Sequence, residues 1–210
     1  MKLEELYEDN HLLCLNKPSG LLTQPTSYTQ DSLETRAKQW IKERDQKRSV
    51  FLHAVHRLDK DTSGVVMFAK SQKALSRMTK AFRERKVKKT YLAITQKIPK
   101  TKTLKHTLKH GSHKALQDAS GKESHLSFEV LKKQKGLYLL EIDLETGRYH
   151  QIRAQFALEE CPIVGDHKYG SPLDVSLALH CFSLVFLHPT TQKELKIQAP
   201  FPKQSLWNLF

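Results

Sequence analysis

Apolar runs of strand length recur along this chain without the regular helical spacing that would make a parallel, doubly wound sheet. Residues 11–17, HLLCLNK, form the first run, and Pro18, Ser19 and Gly20 end it in a turn. Residues 65–69, 90–94, 124–131, 137–144 and 179–187 read as further strands, with Lys135-Gly136 turning between two of them and 195–197 as a short edge strand. Asp31-Ser32-Leu33-Glu34 has the form of a capping box, and Leu33, Ala37, Trp40 and Ile41 follow at helical spacing, which predicts a helix over 32–47. Ser71 caps a second helix with Leu75, Met78 and Phe82 inward and Lys73, Arg77, Lys80, Arg83 and Arg85 outward. A short helix follows Thr146-Gly147, with Ile152 and Phe156 on one face, and then a Gly/Pro/Asp-rich loop over 162–172. Residues 99–123 are rich in Lys, His, Ser and Gly and read as a long loop or irregular hairpin. This order predicts an α+β fold, a mixed and largely antiparallel sheet flanked by helices, in one domain over residues 1–210.

The 35 Lys and Arg against 22 Asp and Glu give a formal charge of +13, which points to a polyanionic partner, nucleic acid ahead of an anionic membrane. The opening residues are acidic and amphipathic, and no apolar stretch approaches the roughly 18 residues of a spanning helix. A soluble, cytoplasmic, monomeric protein is expected. Cys14, Cys161 and Cys181 are odd in number, far apart and set among apolar neighbours, so they read as buried free thiols. His106, His110 and His113 have a spacing that suggests a metal, but they lie in a Lys-rich segment without nearby acids. Solvated or RNA-facing histidines, and no metal, are expected there.

Two stretches carry possible chemistry. In HAVHRLDKDTSG, residues 53–64, Asp59 sits between cations just after an apolar segment. Burial raises a carboxyl pKa by several units and an adjacent guanidinium lowers it by about one to three, so an arginine beside a buried aspartate keeps it charged. The stretch alone leaves open a working carboxylate or a turn whose charges are all solvated. In TGRYHQIR, residues 146–153, a Gly turn leads into a helix start carrying Arg148, His150 and Arg153, a combination suited to phosphates. Five residues apart, at about 100° each, Arg148 and Arg153 diverge by roughly 140°, one toward a phosphate and the other toward the interior.

Together with NKPSGLL (16–22), KKTYLA (88–93), GDHKYG (165–170) and LHCFSLVFLHP (179–189), these stretches closely resemble the RluA family of pseudouridine synthases, in the family's order and over nearly the whole chain. The resemblance implies the family's sheet with a central catalytic cleft. It also implies isomerisation of uridine to pseudouridine in structured tRNA or rRNA, without metal or organic cofactor. The bond from ribose to base nitrogen breaks, the held base turns, and a bond forms through carbon 5. Asp59 matches the catalytic aspartate, which either attacks the anomeric carbon or removes a proton from the neighbouring ribose carbon. Tyr91 matches the tyrosine packed against the target base, and Arg153 the cation that pairs with the aspartate. Arg57 matches an arginine that fills the space of the flipped nucleotide, or it is a structural ion-pair partner. Flipping itself costs a few kcal/mol, offset by contacts to the base. His56, Lys86, Lys88, Lys89, Arg148 and His150 are the remaining candidates for RNA contact. Lys17 reads either as a support for the active-site side of the sheet or as a turn lysine.

Rival readings are weaker. HRLDKD differs from a kinase HRD loop in residue order, and no Gly-rich phosphate loop or DFG accompanies it. An N-glycosylase using Asp59 and Asp61 and an inactive RNA-binding protein also compete; product mass separates the first and turnover the second. Catalytic motifs beginning near residue 11 leave no room for the separate N-terminal RNA-binding domain common in the family, so RNA selection is expected from the catalytic domain's own loops. AQFA after TGRYHQIR and HCFS at 180–183 depart from the usual family pattern and read as packing changes.

Overall fold

Strand β1 (Glu4–Glu8) and strand β2 (Leu12–Lys17) open a computed structural model that describes residues 3–203 and 206–210. The chain resolves into two compact units, residues 1–87 with 181–200, and residues 88–180 with 201–210. The fold is α+β, with mostly antiparallel strands and three α-helices among the described residues.

In the first unit β2 pairs antiparallel with β1 on one side and with β4 (Ser63–Ala69) on the other, while β3 (His53–Ala54) also pairs with β4. Every residue of β4 is buried, as its unbroken SGVVMFA run requires of a strand covered on both faces. Strand β10 (Leu179–Leu187), which belongs to this unit from Cys181 onward, neighbours β4 and pairs with β11 (Glu194–Gln198). Gly64, at φ +113°, lets these backbones approach so closely that a Cβ there would collide with the main chain of Cys181.

Helix α1 (Leu33–Asp45) starts one residue later than the capping box implied. Ser32 is the N-cap, its Oγ accepting from Thr35 N at 3.1 Å, and Asp31 instead pairs with Arg36 at 2.6 Å. Glu34 does not reach back to the cap. It is buried, and its carboxylate accepts from Lys38 (2.7 Å), Ala54 N (3.0 Å) and Gln24 (3.1 Å), tying α1 to β3. A carboxylate taken out of water needs several donors, and the tertiary ones win over the local one. Helix α2 (Gln72–Arg83) is capped by Ser71 as expected, with Ala74 N donating to its Oγ at 3.2 Å.

The second unit is an antiparallel sheet in the order β5 (Lys88–Thr95), β9 (Leu137–Leu144), β8 (Lys122–Gln134), β6 (Thr103–His110), β7 (Ala115–Gln117). Lys135 (φ 49°) and Gly136 (φ 75°) make the tight turn joining β8 to β9. Of the two readings of residues 99–123, the hairpin holds and the long loop does not: β6 pairs antiparallel with β7 and also with β8. Only Leu104 and Leu108 of β6 are buried, so the strand carries almost no local pattern. Its pairing with β8 and its packing on α3 (Gln151–Leu158) impose the structure. The three cysteines are buried and free, as their neighbours implied. Among the described residues no helix is long and apolar enough to cross a membrane.

Candidate active site

The loop between β3 and β4 holds HRLDKDT, and the segment after β2 cradles it. Thr23 Oγ1 accepts from Leu58 N at 3.1 Å and donates to Leu58 O at 3.0 Å, flanking Asp59 on its N-terminal side. On the other side Lys60 O accepts from Gly20 N (2.9 Å) and from the Lys17 ammonium (2.8 Å), and Ser19 Oγ donates to Asp61 O at 2.7 Å. Within the loop, Thr62 N donates to Asp59 O at 3.1 Å. Leu58 and Thr62 are buried, whereas Arg57, Lys60 and Asp61 are exposed. Asp59, half-buried, is the one charged group of this loop withdrawn from bulk water.

Lys17 is wholly buried, and its ammonium donates to three carbonyls, Leu21 O (2.6 Å), Lys60 O (2.8 Å) and Pro18 O (3.0 Å). These contacts tie the end of β2 to the turn that follows it and to the loop that holds Asp59. Burial draws its pKa down to about 7 against the opposing pull of Asp61 and Asp59. His56 accepts from Met67 N at its Nε2 (3.2 Å), and its ring stacks on Phe82 at 4.8 Å. Lys86, exposed, pairs with Glu84 at 2.8 Å.

In the second unit, Tyr91 lies in β5 opposite Ile142 of β9 and is buried to 7% exposure. Arg153, on α3, is almost fully buried and grips Asp166 with two parallel bonds, Nε to Oδ2 at 2.7 Å and Nη2 to Oδ1 at 2.8 Å. Its Nη1 lies 3.1 Å from His150 Nε2, and its guanidinium stands 5.3 Å from the centroid of the Tyr169 ring. A guanidinium only donates, so Nε2 of His150 is the acceptor and its Nδ1 carries the proton toward Tyr169 Oη, 3.2 Å away. Ala115 N in turn donates to that phenol oxygen at 2.7 Å. Burial first, then Arg153 and Lys168, push the His150 pKa down to about 3, so this imidazole is neutral. His150 is buried, in the left-handed backbone region (φ 51°), and these contacts commit its ring nitrogens inside the unit.

The other candidate cations are placed differently. Arg148 is half-buried, with Nε donating to Glu123 O at 3.3 Å and its own backbone N–H to Gln151 Oε1 at 3.0 Å. Lys88 is exposed and pairs with Asp143 at 3.3 Å. The Lys89 ammonium lies over the TGR turn, 3.6 Å from where a Cβ on Gly147 would sit. Thr23, Asp166 and Tyr169 were not foreseen as site residues; GDHKYG held the last two, but nothing in it names Arg153 as their partner. Among the described residues there is no cluster of three or more potential metal ligands.

The family model for RNA pseudouridylate synthase matches residues 11–158. The ribosomal large subunit pseudouridine synthase C of Buchnera aphidicola (subsp. Schizaphis graminum) is 36% identical over 93% of this chain and 66% of its own length. An uncharacterized RNA pseudouridine synthase of Bacillus subtilis is 34% identical over 96% of this chain and 69% of its own. The chain thus spans about two thirds of the length of these curated relatives. The structure of human RNA pseudouridylate synthase domain containing 4 superposes with a TM-score of 0.82 at 24% identity, covering 98% of this chain and 91% of that one, a likeness of fold. The chain belongs to the RNA pseudouridylate synthase family, isomerases acting on RNA, as HRLD and TGRYHQIR implied.

Proposed function

We propose that this chain isomerises a specific uridine of large-subunit ribosomal RNA to pseudouridine, with Asp59 as the catalytic aspartate and without a cofactor. The observation that carries the reading is the cradle around Asp59. Bonds to Leu58, Lys60 and Asp61 fix the backbone on both sides of a half-buried carboxylate, while the neighbouring charges face water. Such a backbone holds the residue that bears the carboxylate in place before substrate arrives, which is where positioning contributes to rate. The names of the relatives from Buchnera and from Rickettsia bellii, both ribosomal large subunit pseudouridine synthase C, support rRNA over tRNA.

In this reading Tyr91 packs against the flipped base, Arg153 keeps the aspartate charged, and Arg57 takes the space the base vacates. Lys86, Lys88, Lys89 and Arg148 contact phosphates, with the enzyme working as a cytoplasmic monomer. Asp59 acts at the ribose, the base turns within the pocket, and its carbon 5 replaces nitrogen at the anomeric carbon; RNA mass is unchanged. The test is pseudouridine mapping of total RNA from a deletion strain, rescued by wild type or by Asp59→Asn. Wild type restores one site and Asp59→Asn, which still binds RNA, does not. Restoration by Asp59→Asn, or tritium release from carbon-5-labelled RNA at the wild-type rate, overturns the mechanism.

A further inference from the structure

We propose that the outer face of His110 is a stacking seat for an unpaired nucleobase of the RNA, remote in sequence from Asp59 and Tyr91. The inference rests on the reading of RNA as substrate and adds a contact that no motif of the family encodes.

Strand β6 turns Leu104, His106, Leu108 and His110 to one side. Leu108 packs with Ala115 and Ala154, and Tyr149 and Tyr169 lie against that cluster. His106 is absorbed by α3, with Nδ1 3.2 Å from Gln155 Nε2 and Nε2 3.3 Å from Glu159. His110, the last residue of the strand, is exposed and stacks on Tyr149 at 4.1 Å with planes 29° apart. Tyr149 stacks on His150 at 3.9 Å and 17°, and Tyr169 closes the inner end edge-on at 5.7 Å and 69°. The result is a column of three near-parallel rings, closed at its inner end by Tyr169 and ending at the exposed residue His110.

An imidazole at the end of a strand, beside an exposed turn, contributes little to burial. Its stack costs an exposed side chain its rotamer freedom. Its geometry matches the way nucleobases continue a stack of flat rings, which every base can do through its π-face. Arg153 and Lys168 both act on His150 in the column, and Asp166, which opposes them, is held by Arg153. His113 and Lys114, both exposed, form part of the turn that follows His110. A flat, neutral group carrying a phosphate fits this seat, and an unpaired nucleotide of a polyanionic RNA is that group.

The test uses the full chain and protein-free large-subunit rRNA. His110→Ala should raise Kd and KM about tenfold with kcat within twofold of wild type, and His110→Phe, which keeps the flat ring, should stay within twofold in all three. In His110→Trp, the added indole emission should be quenched when single-stranded polyuridylate binds, a signal that a purely packing role would not produce. His110→Ala binding as wild type does, or an unquenched indole in an RNA-bound protein, overturns the seat while leaving the isomerase reading standing. A wild-type protein that neither binds nor modifies the rRNA overturns both.

Discussion

Arg153 and Asp166 form a bidentate ion pair in which both side chains are almost fully removed from water, 6% and 0% exposed. The pair fixes the guanidinium plane, and with it the direction of every remaining donor of the residue to which we assign the aspartate's counter-charge.

Asp166→Asn should therefore cost more than an ordinary polar substitution. It leaves a buried guanidinium facing an uncharged amide, and removing one partner of a buried pair typically costs about 3–5 kcal/mol. Urea titration checks this through the unfolding midpoint. A loss below about 1 kcal/mol, the range of exposed pairs, would show that the pair is solvated in solution.

Thr23→Val keeps the shape of the side chain and removes the oxygen that both accepts from and donates to Leu58. The buried Leu58 N–H loses its acceptor, so about 1–3 kcal/mol of stability should go. Because Asp59 is the next residue, kcat should fall at least tenfold with KM little changed. An equal loss in both would mean that Thr23 supports the fold and leaves the carboxylate where it was.

How far such relations were legible depends on their range. Strand β10 carries its own signal, a stretch rich in apolar and aromatic residues broken only by His180 and Ser183, and residues 179–187 were readable without help. Ser71 and α2 were equally plain, because a cap and its helix are local. Asp31-Ser32-Leu33-Glu34 misled for the opposite reason: Glu34 found Lys38, Gln24 and Ala54 N, contacts up to twenty residues away that outweighed the local box. Strand β6 was legible only as part of a loop or an irregular hairpin, since its sequence is polar and β8 and α3 decide its structure. Asp59, Tyr91 and Arg153 stood out as motif residues and Lys17 as one of two readings, but Thr23 and Asp166 act through contacts across turns that no spacing announces.

Gly64→Ala should not fold. The residue sits at φ +113°, unfavourable for any side chain, and the added methyl would overlap the backbone of Cys181, which belongs to the neighbouring strand and cannot rotate away. Destabilisation of at least about 3 kcal/mol is expected, seen as insoluble expression or an early thermal transition. A soluble variant with an unchanged Tm would mean that β4 and β10 are farther apart than described.

Lys17 links the fold to pH. Its pKa falls from the ordinary 10.5 to about 7 through burial, so between those values the unfolded chain holds a proton that the folded chain has released. Stability then rises with pH across that window, by up to about 1.4 kcal/mol per unit, and below pH 7 the full cost of burying the charge is present. Lys17→Met removes the titration together with the bonds to Leu21, Lys60 and Pro18, so the variant is less stable throughout. The stability of wild type minus that of the variant should climb between pH 7 and 10 in parallel urea titrations, in which the groups common to both cancel. A flat difference would mean that the three carbonyls hold the ammonium charged, and that Lys17 clamps the Asp59 loop as a permanent cation.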